Sequence, residues 1–288
     1  MFFMLNYSYK FNIIKKIFFL ILFIFLLIIS LYFFHHENIY VTLTSWKGRI
    51  NFIHKNLENL LENSIKPKKI ILNLAIEEFP NQYSELPKEI KLLLRKYLNF
   101  EIYWVKKNNN VFKKLIPTIN RFKNDLIISV DDDILYPKNL IKNMLKCYNK
   151  IGRKNPVSFG KKSSDWNISG TIINSHYGAG SIVKYKYFNN KINEIYLNTT
   201  EKRIINNTKC PDDLLYTYAA LLNGYKYIRC KEYSINLDLY INPELRIPFS
   251  ENNSKNFTIF LNQYHEIIKE FIENKYNITI EKLIQKSK

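Results

Sequence analysis

Leu126-Ile127-Ile128-Ser129-Val130-Asp131-Asp132-Asp133-Ile134-Leu135-Tyr136-Pro137 is the stretch whose reading decides the fold. Apolar or small β-favouring residues run unbroken into three consecutive carboxylates, and then the chain turns apolar again. A short apolar run of this kind suits a strand buried on both faces in the middle of a parallel sheet. Open α/β sheets bind ligands beyond the carboxyl ends of their strands, which is where the three aspartates project. Adjacent like charges beside a buried strand end repel unless a cation neutralises them. Hard carboxylate oxygens suit Mg2+ or Mn2+, which usually share coordination with substrate phosphates. Neighbouring side chains alternate in direction, so Asp131 and Asp133 face one way and Asp132 the other. Acidic residues after a strand also form solvated turns or cap the next helix, whose pattern starts near Lys138. The buried-strand context favours the metal.

Toward the N-terminus, Ile39–Leu43 reads as a strand, and Ile50, Ile53, Leu57, Leu60 and Leu61 fall at helical spacing. Pro67 ends that pattern and Lys69–Leu74 is a second strand, which makes a βαβ unit. Residues 77–87 read as loop, Lys88–Tyr97 as a basic helix and Phe100–Val105 as a third strand. After a turn at Asn108-Asn109-Asn110, Val111–Phe122 looks helical, with Pro117 tolerated or kinking it. Leu126–Val130 is the fourth strand.

Beyond the triple Asp the pattern is less regular. Leu140–Tyr148 reads as amphipathic helix, Pro156–Phe159 as an edge strand, Trp166–Ser169 as loop and Ile182–Tyr187 as extended. With 7 glycines in 288 residues, Gly178 and Gly180 standing two apart imply positive φ or a close ligand approach. Cys210-Pro211-Asp212-Asp213 opens a helix, Leu214–Leu222, stopped by Gly224. Tyr225–Cys230 reads as a strand and Phe257–Asn274 as an amphipathic helix before a basic tail.

Ile17 to Phe34 is a continuous apolar run interrupted by Ser30 alone. Eighteen helical residues span roughly 27 Å, enough to cross a bilayer core. The run lacks the polar stripe of a buried core helix, and Tyr32-Phe33-Phe34-His35-His36 offers no small-residue cleavage site. The expected organisation is therefore a tail (1–16), a transmembrane helix (17–34), an α/β domain (39–250) and a C-terminal helix with its basic tail (251–288). Lys10, Lys15 and Lys16 balance Lys47, Arg49 and Lys55, so the positive-inside rule does not orient the anchor. A tether of about four residues and a basic surface suit an acceptor at anionic headgroups, which places the domain on the cytoplasmic face.

Forty-three Lys and Arg against 25 Asp and Glu give a net charge of +18. This balance favours anionic partners such as nucleoside diphosphates and lipid headgroups. Nucleic acid is set aside, because the chain has no zinc-finger spacing, Arg-rich arm or aromatic RNA-binding signature. Cys147, Cys210 and Cys230 are odd in number and widely spaced, which indicates neither a disulfide framework nor a structural zinc. His176 and His265 are metal candidates by residue type only, and the sequons starting at Asn167, Asn198, Asn206, Asn252, Asn256 and Asn277 are expected by chance in so Asn-rich a chain.

Four blocks together resemble a known family: Val41-Thr42-Leu43-Thr44-Ser45 with Arg49; Lys66-Pro67-Lys68-Lys69-Ile70-Ile71-Leu72; Lys113-Lys114-Leu115-Ile116-Pro117; and Val130–Pro137. They look like bacterial family-2-like glycosyltransferases of the GT-A fold, over roughly residues 39–240. Gly178-Ala179-Gly180 and Cys210-Pro211-Asp212-Asp213 also resemble, on shorter matches, the exostosin-type transferase domain. The resemblance implies a Rossmann-like mixed sheet flanked by helices, a nucleotide-sugar donor, a glycan or lipid-linked acceptor and a Mn2+ or Mg2+ cofactor. It implies Asp133 and Asp131 as metal ligands, with Thr44, Arg49, Lys114, Asp131 and Asp132 around the donor. Gly178 and Gly180 would line the acceptor or donor-sugar loop. Asp213 would be base or charge stabiliser, with Asp212 as its helix-capping neighbour. A catalytically silent GT-A-like scaffold and a metal-dependent nucleotidyltransferase are the rival readings. The latter wants a Gly-rich loop after the first strand, where Ser45-Trp46-Lys47-Gly48 has one glycine.

Overall fold

The computed structural model describes residues 15–27, 37–159, 166–168, 171–174, 180–205, 212–230, 232–233 and 254–287. It divides into two units, residues 1–38 and Ile39–Lys288. In the first, residues 15–27 form a helix, α1, whose apolar side chains from Ile17 to Leu27 are exposed. Among the described residues no helix is long and apolar enough to cross a membrane. Residues 28–34 of the expected span lie outside the described residues.

The second unit is built on a mixed seven-stranded sheet. Its strands are β1 (Ile39–Thr44), β2 (Lys69–Ala75), β3 (Phe100–Val105), β4 (Leu126–Ser129), β5 (Val157–Ser158), β8 (Ser181–Val183) and β9 (Ile228–Arg229). The order is β3-β2-β1-β4-β8-β5-β9, and a separate hairpin pairs β6 (Trp166–Ile168) with β7 (Thr171–Asn174). β1 to β4 run parallel, while β8 lies antiparallel to both β4 and β5. Interior residues of β1, β2 and β4 are buried on both faces, which explains why their sequences run apolar rather than alternating.

Helices α2 (His54–Leu61), α3 (Lys88–Lys96) and α4 (Ile116–Arg121) make the crossovers, and α5 (Leu140–Lys150) follows β4. The chain winds outward from β1 to β3, then returns to place β4 on the other side of β1. The strand order thus reverses between β1 and β4, the position where open α/β sheets bind ligands. A second layer holds α6 (Tyr185–Phe188), α7 (Lys191–Ile205), α8 (Asp212–Leu222), α9 (Ser254–Tyr276) and α10 (Ile280–Lys286). Helix α8 packs against α6, α7, α9 and α10, and its residues Asp212 to Leu221 are all buried. A helix enclosed on every side has no need of a polar stripe, and Leu214-Leu215-Tyr216-Thr217-Tyr218-Ala219-Ala220-Leu221 has none.

Several boundaries depart from the sequence reading. β5 lies inside the sheet between β8 and β9, not at its edge. Trp166–Ile168 is a hairpin strand rather than loop. The extended run expected over Ile182–Tyr187 ends at Val183, because α6 begins at Tyr185. The expected helix over 111–122 is a 3-10 turn, Asn110–Lys114, followed by α4 with Pro117 in its first turn, where the missing N–H costs nothing. Helix α7 escapes the pattern because Asn193, Asn198, Thr199 and Thr200 are weak helix formers and blur its apolar face. A disulfide also corrects the cysteine reading: Cys147 of α5 and Cys230, just past β9, are bonded with Cα atoms 6.1 Å apart. Widely spaced cysteines conceal the pairing, since the sheet brings the partners together from 83 residues apart.

Candidate active site

The loops after β1 and β4 meet at the strand-order reversal. Register pairs Thr42 with Ser129, and Val130 N donates to Thr42 O at 3.0 Å, so both strands end side by side. Asp131, Asp132 and Asp133 follow. Asp131 N donates to the buried Tyr136 hydroxyl at 2.8 Å, and Asn56 Nδ2 donates to Asp132 O at 2.7 Å. The triple Asp is thus gripped through its backbone from both sides, leaving its side chains to alternate. The Asp131 and Asp133 carboxylates are 33% and 32% exposed, whereas Asp132 is 7% exposed.

Two cations answer these acids. Arg49, in the turn after β1, puts Nη1 2.6 Å from Asp132 Oδ1 and 3.3 Å from Asp133 Oδ2. Lys114, closing the 3-10 turn before α4, puts Nζ 2.9 Å from Asp131 Oδ1 and 2.9 Å from Asp212 Oδ2. Lysines in so basic a chain are ordinarily solvated, yet Lys114 is buried. Beneath it sits a polar network that the sequence reading missed. Asn73 Nδ2 reaches Thr42 Oγ1 at 2.9 Å, Thr118 Oγ1 at 3.2 Å and the Lys114 carbonyl at 3.3 Å. Thr42 Oγ1 donates to that same carbonyl at 2.6 Å. The signal was an asparagine inside an otherwise apolar strand, Ile70-Ile71-Leu72-Asn73-Leu74, because a buried amide needs partners.

Charge follows from this geometry. Burial pulls the Lys114 ammonium down, but Asp131, Asp212 and Asp213 more than reverse it and hold the group well above its ordinary range. Burial likewise opposes the Arg49 charge and is outweighed by Asp132 and Asp133. Asp133 is pushed up to about 7, by burial first and then by the charges of Asp131 and Asp132. Asp132 and Asp212 are raised by burial despite Arg49 and Lys114. Asp131, Asp132, Asp133, Asp212 and Asp213 carry up to five negative charges against two positive ones. The surplus favours a cation.

The donor set fits Mn2+ or Mg2+ of one kind. Among the described residues no group of three His, Cys, Asp or Glu side chains could hold a metal. Two part-exposed carboxylates, Asp131 and Asp133, are what the chain offers. One or two carboxylates completed by phosphate oxygens and water is a usual coordination for Mg2+, unlike an all-protein cage.

Thr44 lies at the end of β1, and its hydroxyl donates to Asn73 O at 2.8 Å. Asp212 and Asp213 open α8, with Asp212 beside Lys114. Gly180 adopts φ +99°, and a Cβ there would lie 2.8 Å from Met144 Cε and 3.8 Å from the Ser129 carbonyl. The positive φ anticipated from glycine spacing therefore serves the close seating of β8 against β4 and α5. Gly178 and His176 lie outside the described residues. His265 is remote in role: its Nδ1 is 2.6 Å from the Tyr218 hydroxyl, tying α9 to α8.

No family model matches the chain, and no curated protein does. Among solved structures it is similar to S. aureus TarS 1–349, at 15% identity and a TM-score of 0.45, covering 68% of this chain and 58% of that one. It is similar also to the mannosyltransferase PcManGT from Pyrobaculum calidifontis in complex with GDP-Man and Mn2+, at 14% identity, TM-score 0.46, and 68% and 55% coverage. A third is the 4-diphosphocytidyl-2C-methyl-D-erythritol synthase from Anaerococcus prevotii, at 15% identity, TM-score 0.42, and 76% and 96% coverage. The chain spans a little over half the length of the first two.

Proposed function

We propose that this protein is a membrane-anchored, metal-dependent glycosyltransferase of the GT-A type, moving a sugar from a nucleoside-diphosphate donor to a glycan or lipid-linked acceptor. The observation that carries the reading is the convergence of Asp131, Asp133, Arg49, Lys114 and the Asp212-Asp213 pair at the reversal between β1 and β4. Such a site handles an anionic leaving group. A divalent cation on Asp133 and Asp131 would offset charge developing on the departing diphosphate. Arg49 supplies a guanidinium whose fork matches phosphate oxygens. Lys114 holds Asp131 and Asp212 in one arrangement. Asp213 acts at the reacting sugar as base or charge stabiliser, from a buried position that strengthens its field. Residues 17–34 anchor the chain, with the catalytic domain on the cytoplasmic face, where bacterial nucleotide sugars are made.

Thermal stabilisation by nucleotide sugars in Mn2+ tests the reading, since a ligand of the folded state raises the melting point. One donor stabilises the wild type by several degrees in Mn2+, and EDTA or Asp133→Asn abolishes the shift. Equal stabilisation with and without metal overturns the metal assignment. A silent scaffold shows donor binding without turnover, and a nucleotidyltransferase releases pyrophosphate.

A further inference from the structure

Arg49 bonds the acid that the cation needs. A single nitrogen, Nη1, donates both to buried Asp132 at 2.6 Å and to the more exposed Asp133 at 3.3 Å. The two bonds are unequal, and the long one is to the more exposed carboxylate. The backbone beneath is held by Arg49 N donating to Trp46 O at 2.9 Å. Arg49 Nε is buried and has no hydrogen-bond partner among the described residues. The Arg49 side chain is nonetheless 18% exposed, so its outer nitrogens can meet a ligand, and phosphate oxygens fit the planar fork. The metal-ligand set is short as well: among the described residues no three-ligand group exists, and Asp133 already shares its charge with Arg49.

We infer that Arg49 is an exchangeable counter-ion that makes divalent-cation binding depend on the nucleotide. The short bond to Asp132 is the pivot. An arriving diphosphate offers oxygens to Arg49, whose bond to Asp133 lengthens and breaks, and the freed carboxylate becomes available to a cation. Without diphosphate, a cation at Asp133 meets the guanidinium's positive charge within the same few ångströms and binds weakly. The inference rests on the proposed donor chemistry.

Calorimetric titration of Mn2+ into the full chain, alone and with saturating UDP, GDP, ADP, CDP or dTDP, tests it. The wild type takes Mn2+ weakly alone and at least tenfold more tightly with one of the nucleotides. Arg49→Gln takes Mn2+ alone several-fold more tightly than wild type, and its gain from nucleotide shrinks. Arg49→Lys guards against misfolding: it keeps a positive charge near Asp133 without the fork, so Mn2+ alone stays weak while the nucleotide gain falls. Wild type that binds Mn2+ equally with and without nucleotide overturns the inference. So does Arg49→Gln that matches wild type for Mn2+ alone, and in both cases the transferase reading stands if nucleotide still binds. A wild type that binds none of UDP, GDP, ADP, CDP and dTDP with Mn2+ overturns the transferase reading and the inference together.

Discussion

Lys114 Nζ lies 2.9 Å from Asp212 Oδ2, so one buried ammonium joins the turn before α4 to the first residue of α8. Its other carboxylate, Asp131 at 2.9 Å, belongs to the end of β4. Removing one partner of a buried pair leaves the remaining charge uncompensated, at a cost of about 3–5 kcal/mol. Lys114→Met strands two carboxylates and should lose stability of that order in urea unfolding, with Lys114→Arg losing less. Adding Asp212→Asn to Lys114→Met should restore part of the loss, because it removes one stranded charge. Additive losses in that cycle would mean that the pair is not coupled.

Asp133 makes stability fall as pH rises. Its ordinary carboxyl pKa is about 3.9, and in the folded chain it is pushed up to about 7. Between those values the folded state holds a proton that the unfolded chain has lost, so raising pH through the window destabilises the fold. Asp132 and Asp212 are raised as well and act with the same sign. His265, lowered chiefly by burial, acts in the opposite sense as its unfolded form loses its proton near pH 6.5. Glu194 is opposed by burial but held to about 2 by Lys275, Tyr276 and Lys191, so its contribution disappears only in acid. The difference between wild type and Asp133→Asn isolates the group. In EDTA, the melting temperature of Asp133→Asn relative to wild type should rise from pH 5 to pH 8. A difference that stays flat would show that Asp133 titrates near its ordinary value.

The fold around the candidate site was legible where local sequence and sheet topology say the same thing. The apolar run ending in three aspartates placed β4, the carboxylates beyond its end and the alternation of Asp131, Asp132 and Asp133 in exposure. Legibility failed where partners come from distant segments. Nothing local tells Lys114 from the many solvated lysines. Its burial follows from Thr42 and Asn73 fixing its carbonyl, with Thr118 bonded to both, and from Asp212 arriving on α8. Likewise Cys147 and Cys230 look unrelated until β5, β8 and β9 are assembled.

Asp212 and Asp213 should separate by kinetics. Asp212 is engaged with Lys114, which gives it a charge-pairing role. Asp212→Asn should therefore lower stability by about 1–3 kcal/mol, as for a buried hydrogen-bonded charge deprived of its partner. Asp213→Asn should keep donor affinity and lose most turnover, the mark of an interaction made mainly in the transition state. Turnover and donor titrations on both variants check this, and a reversal would exchange the two roles.

The Cys147–Cys230 bond bears on the proposed cytoplasmic placement of the domain. Closing a loop of 83 residues is worth about 4–5 kcal/mol in the chain-entropy account, so dithiothreitol should lower the melting temperature of the purified protein. Cys147→Ser should show the lowered value in either redox state. Disulfides persist in oxidising compartments and are reduced in the cytosol. With the domain on the cytoplasmic face, as proposed, both cysteines are thiols in the living cell and the bond closes after extraction. Acid quenching of intact cells, then denaturation and maleimide labelling, should therefore modify Cys147 and Cys230 together. Neither side chain is exposed, so denaturation before labelling is essential. A pair that resists the maleimide until reductant is added was bonded in the cell, and that result moves the domain to the oxidising face.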